Sequence, residues 1–437
     1  MLSCLSEIFA NKALRICQAS QVYWIDARFG PIGAVLMPED KVVYGDVANL
    51  LDQPDWQEMR RGMPVARLYA YLDHAAVGPL TGDAARELAV FAEEAAMHGD
   101  VHWPQWYAKA QLTKRILAAS LDTDADRISL IPNTSTAISQ IAAGFPWKTN
   151  ANVVSLDSEF PANERPWSLL AGVELRRIPW VDGEDPIKRM LDGCDSSTQM
   201  IAVSWVGYGN GYRLDIHRLV EEAEKRGIAV FLDAIQGLGV YALSLRDCPV
   251  HFMAADGHKW MLGPEGVGLL YVRQDWSERI HPVLNGWHNP ARPFEFRHGD
   301  KSLATDGRRF EPGTLNMVGI QAYAASLNFL RAHGWTHESN RMPERIRHLR
   351  EYLVEALRKR GVQVQEWPDE HASGIVPFLV PDISPTDFRA KCLDRRIVLS
   401  ARAGWVRAAI HAYNNEEDLD QLADVVSPNP KRHGLTI

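Results

Sequence analysis

Between residues 127 and 256 the chain carries five short runs that are apolar throughout: RISLIP (127–132), NVVSLD (152–157), MIAVSWV (200–206), IAVFLD (228–233) and HFMAAD (251–256). A strand that alternates polar and apolar residues can leave one face in water, but a strand apolar on both faces must be covered on both. Helical patterns supply that cover. One is DIHRLVEEAEKRG (215–227), which ends on a glycine suited to a helix stop at Gly227. Strands alternating with helices predict an α/β fold, with a large domain built on a mainly parallel sheet flanked by helices.

Past about residue 300 the texture changes. The long helical stretch ERIRHLREYLVEALRKRG (344–361) is followed by SGIVPFLV (373–380), TDFRAKCLDRR (386–396), IVLSARAGWVRAAIHAY (397–413) and a final helix from about Glu416. This reads as a smaller C-terminal α+β domain. The 437 residues exceed what one core usually organises. The expected division is therefore an N-terminal extension of unknown role (1–66), a large domain (67–300) and a small domain (301–437). Within the extension, QVYWIDA and GAVLM have the composition of strands.

Composition excludes several classes of function. A charged fraction of 23% beside 46% hydrophobic residues is that of a globular protein, and a net charge of −8 argues against a nucleic-acid partner. No stretch is apolar enough to span a bilayer, and the N-terminus lacks the unbroken apolar core of a signal peptide. The five cysteines (Cys4, Cys17, Cys194, Cys248, Cys392) stand singly, with no CxxC pair and no histidine cluster at metal spacing. A reducing, cytoplasmic setting without a metal is the expectation.

In open α/β sheets ligands gather at the carboxyl ends of strands. Three such ends carry chemistry. In IPNTSTAIS (131–139), Asn133, Thr134, Ser135 and Thr136 precede a helical run; they read as an N-cap or as an anion site built from free amides and hydroxyls. In FLDAIQG, Asp233 ends a strand and Gln236 follows, either as turn residues or as ligand contacts. In MAADGHKWMLGPEGVG (253–268), Lys259 follows the last strand amid glycines. An anion cradle, a buried carboxylate and an amine are the three requirements of pyridoxal 5′-phosphate: donors for its phosphate, an anionic partner for its ring nitrogen, and a Schiff-base lysine. The glycines of GYGNG (207–211) do not form the GxGxxG of a dinucleotide site.

The order and spacing of these motifs resemble the class V aminotransferase family of fold-type I pyridoxal-phosphate enzymes, from YLDHAAVGPL (71–80) to YNNEEDLDQL (413–422). That family includes cysteine desulfurases, isopenicillin N epimerase-like proteins and kynureninase. The resemblance implies that Lys259 forms the Schiff base, with His258 near the cofactor phosphate. It implies that Asp233 pairs with the pyridine nitrogen, Gln236 bonds the ring hydroxyl, and Thr134 and Ser135 lie on the phosphate loop. Phe160, in SEFPANERPW (158–167), takes the place of a ring-stacking residue. Gly313 and Thr314, in RFEPGTLN (309–316), match a segment that reaches the phosphate of a neighbouring subunit, which implies a homodimer with shared active sites. Arg407 first and Arg402 second match arginines that clamp the substrate carboxylate, with Tyr208 close by.

Departures from the family pattern bear on the reaction. Desulfurases carry a nucleophilic cysteine in the loop between the two arginines, where this chain has only Ala403, Gly404, Trp405 and Val406; Cys392 is the nearest cysteine in sequence. Asp256 replaces a phosphate-binding serine, which requires it to point away or to cap His258. Tyr208 and His74 each replace an asparagine. The implied substrate is a small-molecule α-amino acid processed through an external aldimine and a Cα carbanion. The expected outcome is β-elimination of the C–S lyase type or epimerisation, with amino transfer or desulfurase-type sulfur transfer as the alternative. An inactive scaffold of the same fold is the alternative outside enzymes.

Overall fold

The computed structural model describes residues 55–426. The two strands expected near residues 21–37, together with Cys4 and Cys17, lie outside the described residues. Strands follow in the order β1 (Ala70–Tyr71), β2 (Ile128–Ile131), β3 (Asn152–Leu156), β4 (Glu174–Ile178), β5 (Thr198–Ser204), β6 (Ala229–Asp233), β7 (Phe252–Asp256) and β8 (Gly268–Val272). The C-terminal part adds β9 (Gln363–Val364), β10 (Ile375–Leu379), β11 (Ile397–Val398), β12 (Ser400–Arg402) and β13 (Trp405–Ala409).

A seven-stranded sheet in the order β2-β8-β7-β6-β5-β3-β4 forms the centre. The pairs from β4 through β7 are parallel, and β8 alone runs against its neighbours β7 and β2. Each of the five apolar runs is one of these strands, and β2, β3, β6 and β7 are buried along their whole length. The other two strands have different chemistry. The edge strand β4 reads ELRRI and exposes Glu174 and Arg177, as suits a strand paired on one side only. β8 is the antiparallel return of β7.

The helix Ile216–Lys225 buries Ile216, Leu219, Val220 and Ala223, an i, i+3, i+4, i+7 stripe, and Gly227 stops it at φ +68°. Helix Met317–Ala332 follows the expected boundary at 300 in sequence, yet Ile320, Tyr323, Leu327 and Leu330 share one core cluster with the strands of the large sheet. Helix Trp56–Arg61 also reaches that cluster, through Met59.

A second core lies under the four-stranded antiparallel sheet β12-β13-β10-β9. Leu349, Leu353 and Leu357 of helix Arg341–Lys359, Phe388 and Cys392 of helix Pro385–Leu393, and Leu419 and Leu422 of helix Glu416–Val425 pack there. β1 pairs in parallel with β11, and Asp73 bridges to Ala409 beside β13. Residues near 70 are thereby held against residues near 400.

Candidate active site

The polar residues of interest follow the carboxyl ends of the parallel strands. Lys259 sits in the turn after β7, three residues beyond Asp256. The turn is closed by the Leu262 amide donating to the Lys259 carbonyl at 3.1 Å and by the Gly78 amide donating to the His258 carbonyl at 2.6 Å. A Cβ at Gly78 would stand 2.1 Å from the Lys259 carbonyl oxygen, so only glycine lets these two backbones approach. Burial lowers the Lys259 ammonium to about 8; the charges of Arg407 and Arg402 push the same way, while Asp233 and Asp256 oppose them.

Asp233 ends β6 opposite Ser204 of β5. It is buried, and its Oδ1 accepts one hydrogen bond, from the Ile235 amide at 3.0 Å. Burial raises it to about 6, even though that hydrogen bond and Lys259 both favour the anion. Gln236 is also buried: its Nε2 donates to the Ala75 carbonyl at 2.9 Å, and its Oε1 accepts from the Trp260 indole at 2.7 Å.

Asn133 caps helix Thr134–Gly144 by accepting from the Thr136 amide at 2.8 Å. The cap leaves the amides of Thr134 and Ser135, first in the helix, with no carbonyl in their own helix to reach. The buried Thr134 hydroxyl accepts from the Asp256 amide at 3.0 Å, which ties this helix to the end of β7, while Ser135 is exposed. Asp256 meets the condition set by its sequence position: its Oδ2 lies 3.1 Å from Nδ1 of His258. Asp256 Oδ1 and His258 Nδ1 are buried without a hydrogen bond.

Phe160 is 44% exposed, a large apolar ring left open at the site. Nζ of Lys259 lies 5.7 Å from its centroid, and the Tyr208 ring meets it edge-on at 5.1 Å. Arg407, on β13, is buried. It donates from Nε to the Ser400 hydroxyl at 3.1 Å and from Nη1 to the Tyr208 carbonyl at 2.6 Å, and its Nη2 lies 3.5 Å from Asp73 Oδ1. Arg402 is exposed at the end of β12, close enough for its charge to act on Lys259, Arg407 and Asp73. Between Arg402 and its strand partner Trp405 the chain turns on Ala403 (φ +48°) and Gly404 (φ +82°), a two-residue hairpin with both central residues left-handed.

The structure thus brings together Lys259, Asp233, Phe160, Tyr208, Arg407 and Arg402. Gly313 and Thr314 are not part of that group within one chain. They line a separate cleft with Thr136, Gln140, Glu311 and Gly266, and Thr314 is exposed.

Sequence reasoning missed four contributors. Glu159 precedes Phe160 and accepts from the Ser204 amide at 2.8 Å, the Ser204 hydroxyl and the Asn163 amide group at 3.1 Å; burial raises its carboxyl to about 7. A charged residue just past a buried strand was the available signal. Asp73, Ser400 and Trp260 act through partners far away in sequence and left none.

A profile of the aminotransferase class-V family matches residues 70–422. The chain belongs to the aminotransferase class-V family. Among its relatives, a probable cysteine desulfurase of Methanothermobacter thermautotrophicus is 26% identical over 404 residues, covering 85% of this chain and 97% of the relative. Isopenicillin N epimerase of Streptomyces clavuligerus is 26% identical over 392 residues, covering 85% and 98%. The solved complex of the cystine C–S lyase C-DES with its reaction product cysteine persulfide superposes with a TM-score of 0.74 at 21% identity, over 83% of this chain and 98% of that one, and has the same fold. This class-V chain is a pyridoxal-phosphate-dependent enzyme with the fold-type I architecture.

The residues fit that cofactor. The amine at the floor has its pKa lowered toward neutrality, a buried carboxylate with a single hydrogen bond stands near it, and an exposed aromatic ring faces it. The first amides of the helix Thr134–Gly144, which is tied to the end of β7 by the bond between Thr134 and Asp256, are donors of the kind a phosphate requires. No helix among the described residues is long and apolar enough to cross a membrane, and no group of three or more metal-ligating side chains occurs among them.

Proposed function

We propose that this class-V enzyme removes the Cα proton of an α-amino acid and then expels a β-substituent, in the manner of a C–S lyase. The observation that carries this reading is the hairpin at Ala403–Gly404. Two turn residues leave no loop there, and neither is a cysteine. Cys392 offers no substitute: it is fully buried in the small-domain core, and burial pushes its thiol up to about 12. Cys248 is buried and likewise raised to about 12. Cys194, the third cysteine of the described residues, is half-buried, donates its thiol to the Met190 carbonyl at 3.2 Å and is raised by burial, so none of the three is a ready thiolate for attack on the substrate sulfur.

Each residue has a task in this reading. Bound at Lys259, pyridoxal phosphate supplies an electron sink for charge developing at Cα. Asp233, as an anion, keeps the ring nitrogen protonated. The Lys259 amine takes the Cα proton, for which a pKa near 8 is well matched, and passes it to the departing β-substituent. Arg407 binds the substrate carboxylate with guanidinium N–H groups not used by Ser400 and Tyr208, and Arg402 adds a second cation at the mouth. Phe160 packs over the cofactor ring, and Gln236 donates its remaining N–H to the ring hydroxyl. The amides of Thr134 and Ser135, with His258, take the phosphate.

The active unit in this reading is a homodimer, in which Gly313 and Thr314 complete the phosphate site of the second chain. The exposure of Thr314 in the single chain, with Gly313 half-buried beside it, supports this arrangement. Epimerisation is the second reading, favoured by the similarity to isopenicillin N epimerase over 98% of that protein.

The test is a screen of β-substituted amino acids, with pyruvate, ammonia and sulfide assayed alongside the configuration of recovered substrate. Pyruvate and ammonia in equal amounts are expected. Inverted substrate without pyruvate would establish epimerisation. Alanine accompanied by protein-bound persulfide would overturn both.

A further inference from the structure

We infer that Trp260 is a positioning residue for the cofactor, acting through the side-chain amide of Gln236. The inference rests on the proposed contact between Gln236 and the ring hydroxyl. An indole nitrogen can only donate, so the 2.7 Å contact from Trp260 Nε1 requires the oxygen of the Gln236 amide to face it. A backbone carbonyl can only accept, so the 2.9 Å contact to the Ala75 oxygen requires the nitrogen there. The two contacts fix the amide in one of its two orientations, and a single N–H of Nε2 is left uncommitted.

Trp260 is itself held by a cluster of aromatic and imidazole rings. His411 accepts from the Ala412 amide at Nδ1, which places its proton on Nε2, where it donates to the Trp260 carbonyl at 3.1 Å. The indole packs against a pair of neutral imidazoles, its centroid 5.8 Å from His74 and 6.0 Å from His411, with the two imidazoles 5.1 Å from each other. His74 donates from Nδ1 to the Ala409 carbonyl, since that atom only accepts, and so takes the Tyr413 hydroxyl at Nε2. The cluster is uncharged and buried, and the Trp260 indole donates from it to Gln236.

The experiment is a double-mutant cycle with W260F and Q236A, reading the dissociation constant of pyridoxal phosphate and the pH midpoint of its visible absorption band. Each single variant is expected to weaken cofactor binding about tenfold, the scale of one buried hydrogen-bonding group left unpaired, and to shift the midpoint. The double variant should match Q236A alone, because Trp260 has nothing left to orient. Additive losses, or a W260F protein altered only in melting temperature, would overturn the inference while leaving the role of Gln236 intact. A Q236A protein with unchanged affinity and midpoint removes the underlying contact and the inference with it. If W260F does not fold, W260L supplies the donor-free member of the cycle and the same non-additivity decides, while W260H, which keeps a ring N–H, should retain wild-type affinity and midpoint.

Discussion

Lys259, Asp233 and Glu159 are three ionisable groups whose environment works against their charge. The Lys259 ammonium is brought to about 8 by burial, so its free-base fraction rises steeply through that pH. Borohydride reduction of the holoenzyme is expected to fix the cofactor mass on Lys259, and K259A to lose that mass; peptide mass spectrometry checks both. D233N removes the charge that holds the ring nitrogen protonated and is expected to lower kcat by about 10²-fold or more while the cofactor still binds. Glu159 is protonated in the folded chain up to about pH 7, whereas an unfolded chain releases that proton near 4.5. Between those values the native state binds more protons than the unfolded state, so stability falls as pH rises. E159Q removes that dependence. The gain should be on the order of 1 to 3 kcal/mol at pH 8 and vanish at pH 4, as read by denaturant unfolding at the two pH values.

Turns, rather than strands, set the precision of the site. The close approach at Gly78 locks the Lys259 backbone, and a methyl group there meets the Lys259 carbonyl rather than a side chain able to move. G78A is expected to cost about 1–3 kcal/mol of stability and to weaken cofactor binding by displacing the lysine. At the hairpin, Gly404 has φ +82° and open space around its Cα, so the penalty of a side chain there is conformational. G404V should destabilise the hairpin by roughly 1–2 kcal/mol and raise KM for substrate more than it lowers kcat, because Arg402 and Arg407 are carried on its two strands. Steady-state kinetics separates the two effects.

For the whole molecule, segments near the two ends of the described chain converge on Arg407: Asp73 lies beside β13, and Arg407 reaches the carbonyl of Tyr208 after β5. Opening of the small domain would therefore move Arg407 relative to Lys259. The proposed dimer predicts complementation. Mixing K259A with a variant defective at Gly313 and Thr314, each inactive alone, should restore about a quarter of wild-type activity after subunit exchange, because half of the dimers are mixed and each of these has one intact site. No recovery despite exchange would place both functions in one chain.

The sequence by itself laid out five of the seven strands of the large sheet and the polar residues at their carboxyl ends. Strands apolar on both faces are legible because burial on both faces leaves no other composition, and Asp233 is legible because it ends such a strand, Lys259, Gln236 and Thr134 because each follows one. The edge strand β4 lacks that mark, since an exposed edge accepts polar residues. Tertiary structure alone decided the pairings. Asp73 beside Arg407, Trp260 against Gln236, Glu159 on Ser204 and Asp256 beside His258 depend on distances between atoms that composition and spacing do not encode. The pKa values of the site belong with them, because desolvation is set by what packs around a charge rather than by its neighbours in the chain.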